Sequence, residues 1–245
     1  GGEYKLENVV SPEELSELDR SDREALRRFF SKKFENDRKS AAASAHNAAF
    51  ERVNGMMSCA SLFDMERLPQ ADLDRYGPGI FGRHTLLARH LVENGAPFVM
   101  VSNGMPWDCH VFNHEIHQML VPELDEVLFH LVQDLDERGM LENTLVIAMG
   151  EFGRTPWLNE ARGRDHYPNA WSLAMAGCGI KPGVVFGATD EDGFGVADNP
   201  VDQRHLFATI FTALGLDPYR EYELPGLPTF ARVEEQAEPI HEILA

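Results

Sequence analysis

Three short apolar runs constrain the fold of this chain more than any other feature. They are residues 97–102 (PFVMVS), 144–149 (TLVIAM) and 172–176 (SLAMA). Amphipathic helical patterns occupy residues 81–94, 115–138 and 202–214. Continuous apolar strands that alternate with helices are typical of parallel sheets covered on both faces. The sequence therefore predicts an α/β fold in which a parallel-rich sheet is sandwiched by helices.

The first 80 residues have a different pattern, which predicts helices and no strand. Ser11 is placed to cap a helix, with Pro12 at the first helical position and Glu14 completing a capping box. An alanine-rich second helix is predicted over residues 35–57, followed by a loop. We expect residues 1–80 to form a helical hairpin plus loop, and residues 81–245 to form the α/β domain.

The charge of the chain limits the classes of partner. Its 245 residues include 40 Asp and Glu against 22 Lys and Arg, a formal net charge of −18. This charge repels a nucleic-acid backbone, so we expect no nucleic-acid partner. An acidic protein can still bind a small anionic substrate where metal ions or arginines reverse the local field. No apolar run has the length of a membrane span, and the oligomeric state is left open.

Polar side chains follow the first two predicted strands. They are Asp108, His110 and His114 after the first, and Glu151, Arg154, Asp165 and His166 after the second. Because the carboxyl ends of parallel strands meet at one sheet edge, we expect these side chains to converge. Carboxylates and imidazoles are ligands of zinc and other divalent metals. The pattern predicts a site for one or two divalent ions.

Each candidate also has a simpler interpretation. Asp108 and His110 are compatible with a loop hydrogen bond, and His114 with a surface position. A carboxylate such as Glu151, directly after a buried strand, needs a metal, Arg154 or backbone donors as a partner. Arg154 either neutralises Glu151 or binds a substrate anion, and Asp165 is placed to orient an imidazole ligand.

A series of motifs in fixed order resembles the DUF1501 family. The motifs are FGRHTLLARHLVENGAPFV (81–99), WDCH (107–110), LDERGMLENTLVIAMGEFGRTP (135–156), GRDHYP (163–168) and VDQRHLFATIFTALGLDP (201–218). The resemblance covers residues 81–245 closely and the first 80 residues more loosely. DUF1501 proteins are similar to sulfatases and to the alkaline phosphatase superfamily. The resemblance implies an alkaline phosphatase-like fold, a two-metal site and hydrolysis of phosphate or sulfate esters.

The resemblance also implies roles for individual residues. Glu151 takes the place of a ligand to one metal, and His166 that of a ligand to the other. Asp108, with His110 or His114, would supply the remaining ligands of that second metal, and the one or two ions would be zinc, calcium, magnesium or manganese. Phe152 stands where many members of the superfamily have a histidine ligand.

Residues 1–80 contain no strand followed by an exposed Asp and a Ser or Thr, where the superfamily places its nucleophile. We therefore expect the chain to be the C-terminal part of a longer protein, and relatives suggest an exported or periplasmic location. The leading hypothesis is a metal-dependent hydrolase of anionic esters in which Arg154 and Asp165 serve catalysis. The alternative is a non-catalytic metal-binding or scaffold module of the same fold.

Overall fold

The computed structural model of the chain describes residues 16–38, 41–103, 107–223, 228–233 and 237–245. Its α-helices are α1 (Glu17–Arg38), α2 (Ala41–Ser58), α3 (Gln70–Arg75), α4 (Ile80–Glu93), α5 (Asn113–Glu137) and α6 (Gln203–Ala213). Its strands are β1 (Val146–Met149), β2 (Gly153–Arg154), β3 (His166–Tyr167), β4 (Leu173–Ala176), β5 (Ala188–Thr189), β6 (Val196–Asp198), β7 (Glu221–Tyr222) and β8 (Phe230–Ala231). The mixed helix and strand content agrees with the expected α/β class at this coarse level.

The chain divides into two compact units. The first contains Gly1–Asp74 and His90–Val99, and the second contains Arg75–Arg89 and Met100–Ala245. The predicted domain boundary between residues 80 and 81 stays a prediction. None of the helices in the described ranges has both the length and the hydropathy that crossing a membrane requires.

Two long helices, α1 and α2, dominate the first unit. They are linked by ion pairs from Glu51 of α2 to Arg27 (2.9 Å) and Arg28 (3.3 Å) of α1. The predicted second helix was placed too early, because α1 continues to Arg38 and α2 begins at Ala41. The predicted cap at Ser11 lies outside the described residues.

A buried carboxylate joins α4 and α5 in the second unit. Asp134 of α5 and Arg89 of α4 are each 2% exposed. The partners of the Asp134 carboxylate are Arg138 Nε (2.8 Å), Arg89 Nε (2.9 Å), Tyr76 Oη (3.1 Å) and Arg75 Nη1 (3.2 Å). Burial opposes ionisation of Asp134, but the hydrogen bond from Arg138 and the charges of Arg89 and Arg138 hold its pKa below the usual range.

The strands differ most from the sequence prediction. In the part of the chain that the structure describes, all strand pairing is antiparallel, in four two-stranded sheets: β1–β4, β2–β3, β5–β6 and β7–β8. The predicted parallel-rich sheet is therefore wrong for the described residues. A parallel pair needs a crossover of a dozen or more residues, usually helical. Residues 150–172 contain the β2–β3 pair and no helix, so β4 returns alongside β1 with Val146 opposite Ala176.

The predicted strand at 97–102 is also wrong. Residues 97–102 form no strand and pair with no strand among the residues that the structure describes, and the side chains of Phe98 and Met100 are 80% and 79% exposed. The apolar run alone predicted a buried strand, but a strand also needs an adjacent backbone edge to pair with.

The helix predicted over residues 202–214 is confirmed. Asp202 caps α6 by accepting from the backbone amides of Arg204 and His205, and the His205 side chain completes a capping box. The inner face of α6 contributes Ala208 to a small core with Val233 and Ala237. This cap and core fix α6 within the second unit.

Candidate metal centre

The first site segment is the WDCH loop that precedes α5. Val111 forms an antiparallel bridge with Arg162, and the Arg164 amide donates to the Cys109 carbonyl at 2.9 Å. Cys109 is buried. Its neighbours Asp108 and His110 are open to solvent, with side-chain exposed fractions of 60% and 43%, and Asp108 Oδ1 lies 2.9 Å from His110 Nε2. The buried thiol thus anchors the loop, and its neighbours are presented together.

The second site segment is the short β2–β3 pair. Arg154 lies directly opposite His166 in the register, and Gly153 lies opposite Tyr167. Residues directly opposite in an antiparallel pair share one face of the sheet. Arg154 and His166 therefore lie on the same side, and both reach Asp108.

Three side chains form a compact group of donor atoms: Asp108, His110 and His166. Asp108 Oδ1 lies 2.9 Å from the Nε2 atom of each histidine, and the two Nε2 atoms are 3.3 Å apart. Ligands held about 2.0–2.1 Å from a tetrahedral ion are roughly 3.3 Å from one another. One carboxylate oxygen and two imidazole nitrogens at this spacing suit a borderline metal such as zinc.

A second carboxylate fixes the orientation of His110. His110 Nδ1 donates to Asp165 Oδ1 at 2.7 Å, which leaves Nε2 facing Asp108 and His166. This hydrogen bond raises the pKa of His110, and the same bond, with one from Asn159, lowers that of Asp165. A carboxylate that holds the far nitrogen of an imidazole is the usual support of a metal-binding histidine.

Arg154 gives the site its positive charge. Its guanidinium forms an ion pair with Asp108 Oδ1, and this bond, followed by that from His166, lowers the pKa of Asp108 to about 2. Asp108 is therefore ionised across the physiological range. The guanidinium also lies 5.5 Å from the centroid of the Phe152 ring, which packs against His166 at 4.4 Å.

Two predicted ligands lie outside this group. His114 is exposed in the first turn of α5, and Glu151 is exposed in the turn after β1. Among the described residues, the group of donors close enough to share one ion contains neither side chain. Among the described residues the structure brings Asp108, His110, Arg154, Asp165 and His166 together by hydrogen bonds and ion pairs, and the donor group does not include Glu151 or His114.

Sequence reasoning missed Asn159, which organises the loop between the two segments. Its side-chain amide donates to the His110 carbonyl and to Asp165 Oδ1, both at 3.0 Å, and its oxygen accepts from the amides of Ala161 and Gly163. Asn side chains commonly form such local turns. The residue type was therefore a signal for a turn, although its long-range bonds carry no sequence signature.

Gly163 was also missed, and it permits the two segments to touch. A Cβ atom at this position would lie 1.9 Å from the backbone carbonyl carbon and oxygen of His110. Only a residue without a side chain allows this approach. A glycine within the GRDHYP motif was the available signal.

Comparison with known proteins identifies the family of the chain. The sequence profile of the family described as "Protein of unknown function (DUF1501)" matches residues 2–244. The search of curated proteins gave no match, and neither did the search of solved structures. Because the matched region spans nearly the whole sequence, the chain belongs to the DUF1501 family.

Proposed function

We propose that this chain carries the metal site of a metal-dependent hydrolase that acts on anionic esters, either phosphate or sulfate. The observation that supports it most is the group formed by Asp108, His110 and His166, whose donor atoms have the spacing of ligands to one ion. The choice of ester hydrolysis as the reaction comes from the motif resemblance to DUF1501 proteins, which are similar to sulfatases and to the alkaline phosphatase superfamily.

The supporting side chains have the chemistry that the reaction needs. A bound divalent ion supplies charge neutralisation for an ester oxyanion and lowers the pKa of bound water. Asp165 holds His110 in the tautomer whose Nε2 has a free lone pair. The side chain of Arg154 is 20% exposed, and its guanidinium forms an ion pair with Asp108. From this position the planar guanidinium can also bind an ester oxygen.

Metal binding is the first test. Titration calorimetry with Zn²⁺ should show a site on the wild-type chain that His166→Ala weakens by about 100-fold or more, since loss of a direct ligand exceeds the 10–100-fold cost of losing a supporting residue. His114→Ala is the matched control, because this imidazole is exposed and outside the group. Equal affinity in the two variants, or no binding by the wild type, would contradict the metal site.

Hydrolysis is the second test. Because the nucleophile of the superfamily is not found in residues 1–80, the attacking group in this test is water activated by the bound ion. The metal-loaded protein should cleave p-nitrophenyl phosphate or p-nitrophenyl sulfate, and His166→Ala should abolish this activity while His114→Ala retains it. Arg154→Lys should raise KM more than it lowers kcat, because a lysine keeps the charge and loses the two-pronged hydrogen bonding. Metal binding without hydrolysis of either ester would favour the alternative, a non-catalytic metal-binding module.

A further inference from the structure

One oxygen of the Asp108 carboxylate is shared by three side chains. Oδ1 forms an ion pair with the guanidinium of Arg154 and lies 2.9 Å from the Nε2 atoms of His110 and His166. The same residue supplies one of the three donor atoms of the proposed ion site. Arg154 and a divalent ion at this site therefore use the same carboxylate.

The shared oxygen brings two positive charges close together. A divalent ion lies about 2.0–2.2 Å from a carboxylate oxygen, and a hydrogen bond from a guanidinium to a carboxylate is about 2.7–2.9 Å long. Because the two distances meet at one oxygen, the ion and the bonded guanidinium nitrogen are at most about 5 Å apart. Like charges at this separation repel each other. Each cation should thus weaken the binding of the other to Asp108.

The surroundings of Arg154 favour a position beside the ion site. Arg154 lies in β2 directly opposite His166, and its side chain is 20% exposed. Its guanidinium lies 5.5 Å from the centroid of the Phe152 ring, a contact that attracts a cation. A guanidinium that gives up its bond to Asp108 is therefore still close to any ligand that the ion binds.

We propose that Arg154 makes the binding of the ion and the binding of a tetrahedral oxyanion depend on each other. A phosphate or sulfate group has oxygens for both cations, because one oxygen can coordinate the ion while another accepts from the guanidinium. Its negative charge then offsets the repulsion between the two cations. A neutral ester has no such charge, so Arg154 selects anionic esters. This coupling rests on the proposed function, since Arg154 competes only with an ion that binds to Asp108.

Titration calorimetry with Zn²⁺ in a buffer free of oxyanions tests the competition. Arg154→Gln should bind Zn²⁺ about fivefold more tightly than the wild type, the lower end of the usual coupling between two ligands of one protein. Arg162→Gln is the matched control, because it removes the same charge from a nearby loop, where the guanidinium is 61% exposed and paired with Glu115. Its Zn²⁺ affinity should stay within about twofold of the wild type, since the charge of an exposed side chain is screened by salt.

The same titration in saturating inorganic sulfate tests the coupling. Sulfate should tighten Zn²⁺ binding by the wild type by at least about fivefold, and should tighten binding by Arg154→Gln less. A sulfate that contacts only the ion would strengthen both proteins equally, so the difference between them measures the part played by Arg154. Inorganic phosphate, kept dilute so that its zinc salt stays dissolved, is the second probe. A larger gain in the wild type with either oxyanion supports the proposal.

The outcomes separate this coupling from the metal site itself. If the wild type does not bind Zn²⁺, the metal site and the coupling both fail. If His166→Ala weakens Zn²⁺ binding but Arg154→Gln binds no more tightly than the wild type, the site stands and the competition is refuted. Equal gains from both oxyanions in the wild type and Arg154→Gln would likewise overturn the coupling and leave the site in place.

Discussion

Replacement of Asp134 by Asn removes one charge from the buried cluster that joins α4 and α5. The change keeps the shape of the side chain, but it removes the negative charge that lies 2.9 Å from the guanidinium of Arg89, a side chain that is 2% exposed. Loss of one partner from a buried ion pair costs about 3–5 kcal/mol of unfolding free energy. This is a large part of the ~5–15 kcal/mol that stabilises a typical domain.

The assay is urea unfolding followed by tryptophan fluorescence. All three tryptophans, Trp107, Trp157 and Trp171, lie in the second unit, so the signal reports the unit that contains Asp134. With a denaturant dependence of about 2 kcal/mol per molar urea, a loss of about 4 kcal/mol lowers the midpoint by about 2 M. Asp136→Asn is the matched control, since it makes the same chemical change on the same helix at an exposed position.

The control should change the unfolding free energy by less than about 0.5 kcal/mol. In the Asp134→Asn background, a second change of Arg89→Leu should recover part of the loss, because it removes a buried positive charge that Asp134 neutralises in the wild type. If Asp134→Asn and Asp136→Asn shift the midpoint equally, the assignment of a stabilising role to this cluster is refuted.

Three further predictions concern the metal site and the buried cluster. Asp165→Asn should weaken Zn²⁺ binding by about 10–100-fold in titration calorimetry, since it removes the support of His110; Asp192→Asn, on an exposed turn, should not. Gly163→Ala should lower both the melting temperature and the Zn²⁺ affinity, because the added methyl group meets the backbone of His110. Gly55→Ala is the control: there is open space around Gly55, so the change should be neutral or should stabilise the protein by up to about 1 kcal/mol. The free energy of unfolding of the wild type should fall as the pH drops below about 4, because Asp134, whose folded pKa lies below its unfolded value, becomes protonated. Urea midpoints at pH 3 and pH 6 should differ less in Asp134→Asn than in the wild type. An equal difference in the two proteins would contradict the role of Asp134 in this pH dependence.

The helices were the most predictable part of the fold. Apolar periodicity located α4, α5 and α6 to within about two residues. Strand pairing was not predictable in the same way. Uninterrupted apolar runs located β1 and β4, but they contain no information about strand direction, which depends on how the intervening residues return.

The site was partly predictable despite the wrong sheet. Asp108, His110 and His166 lie together because two local backbone contacts, Val111 with Arg162 and Arg154 opposite His166, bring the motifs side by side. The positions of His114 and Glu151 relative to this group depend on the start of α5 and the turn after β1. Side-chain direction at such element ends is not encoded in residue type or spacing.

The side chain of Asn159 has a thermodynamic consequence for any ligand of this site. Its four hydrogen bonds tie the turn at residues 159–165 to the carbonyl of His110 and to Asp165 in the free protein. An incoming ion therefore meets donor atoms whose backbone is already ordered, and the entropy of arranging the loop is lost during folding instead of during binding. If the proposed ion binds here, its affinity should therefore depend on Asn159, which is not among the three donor side chains.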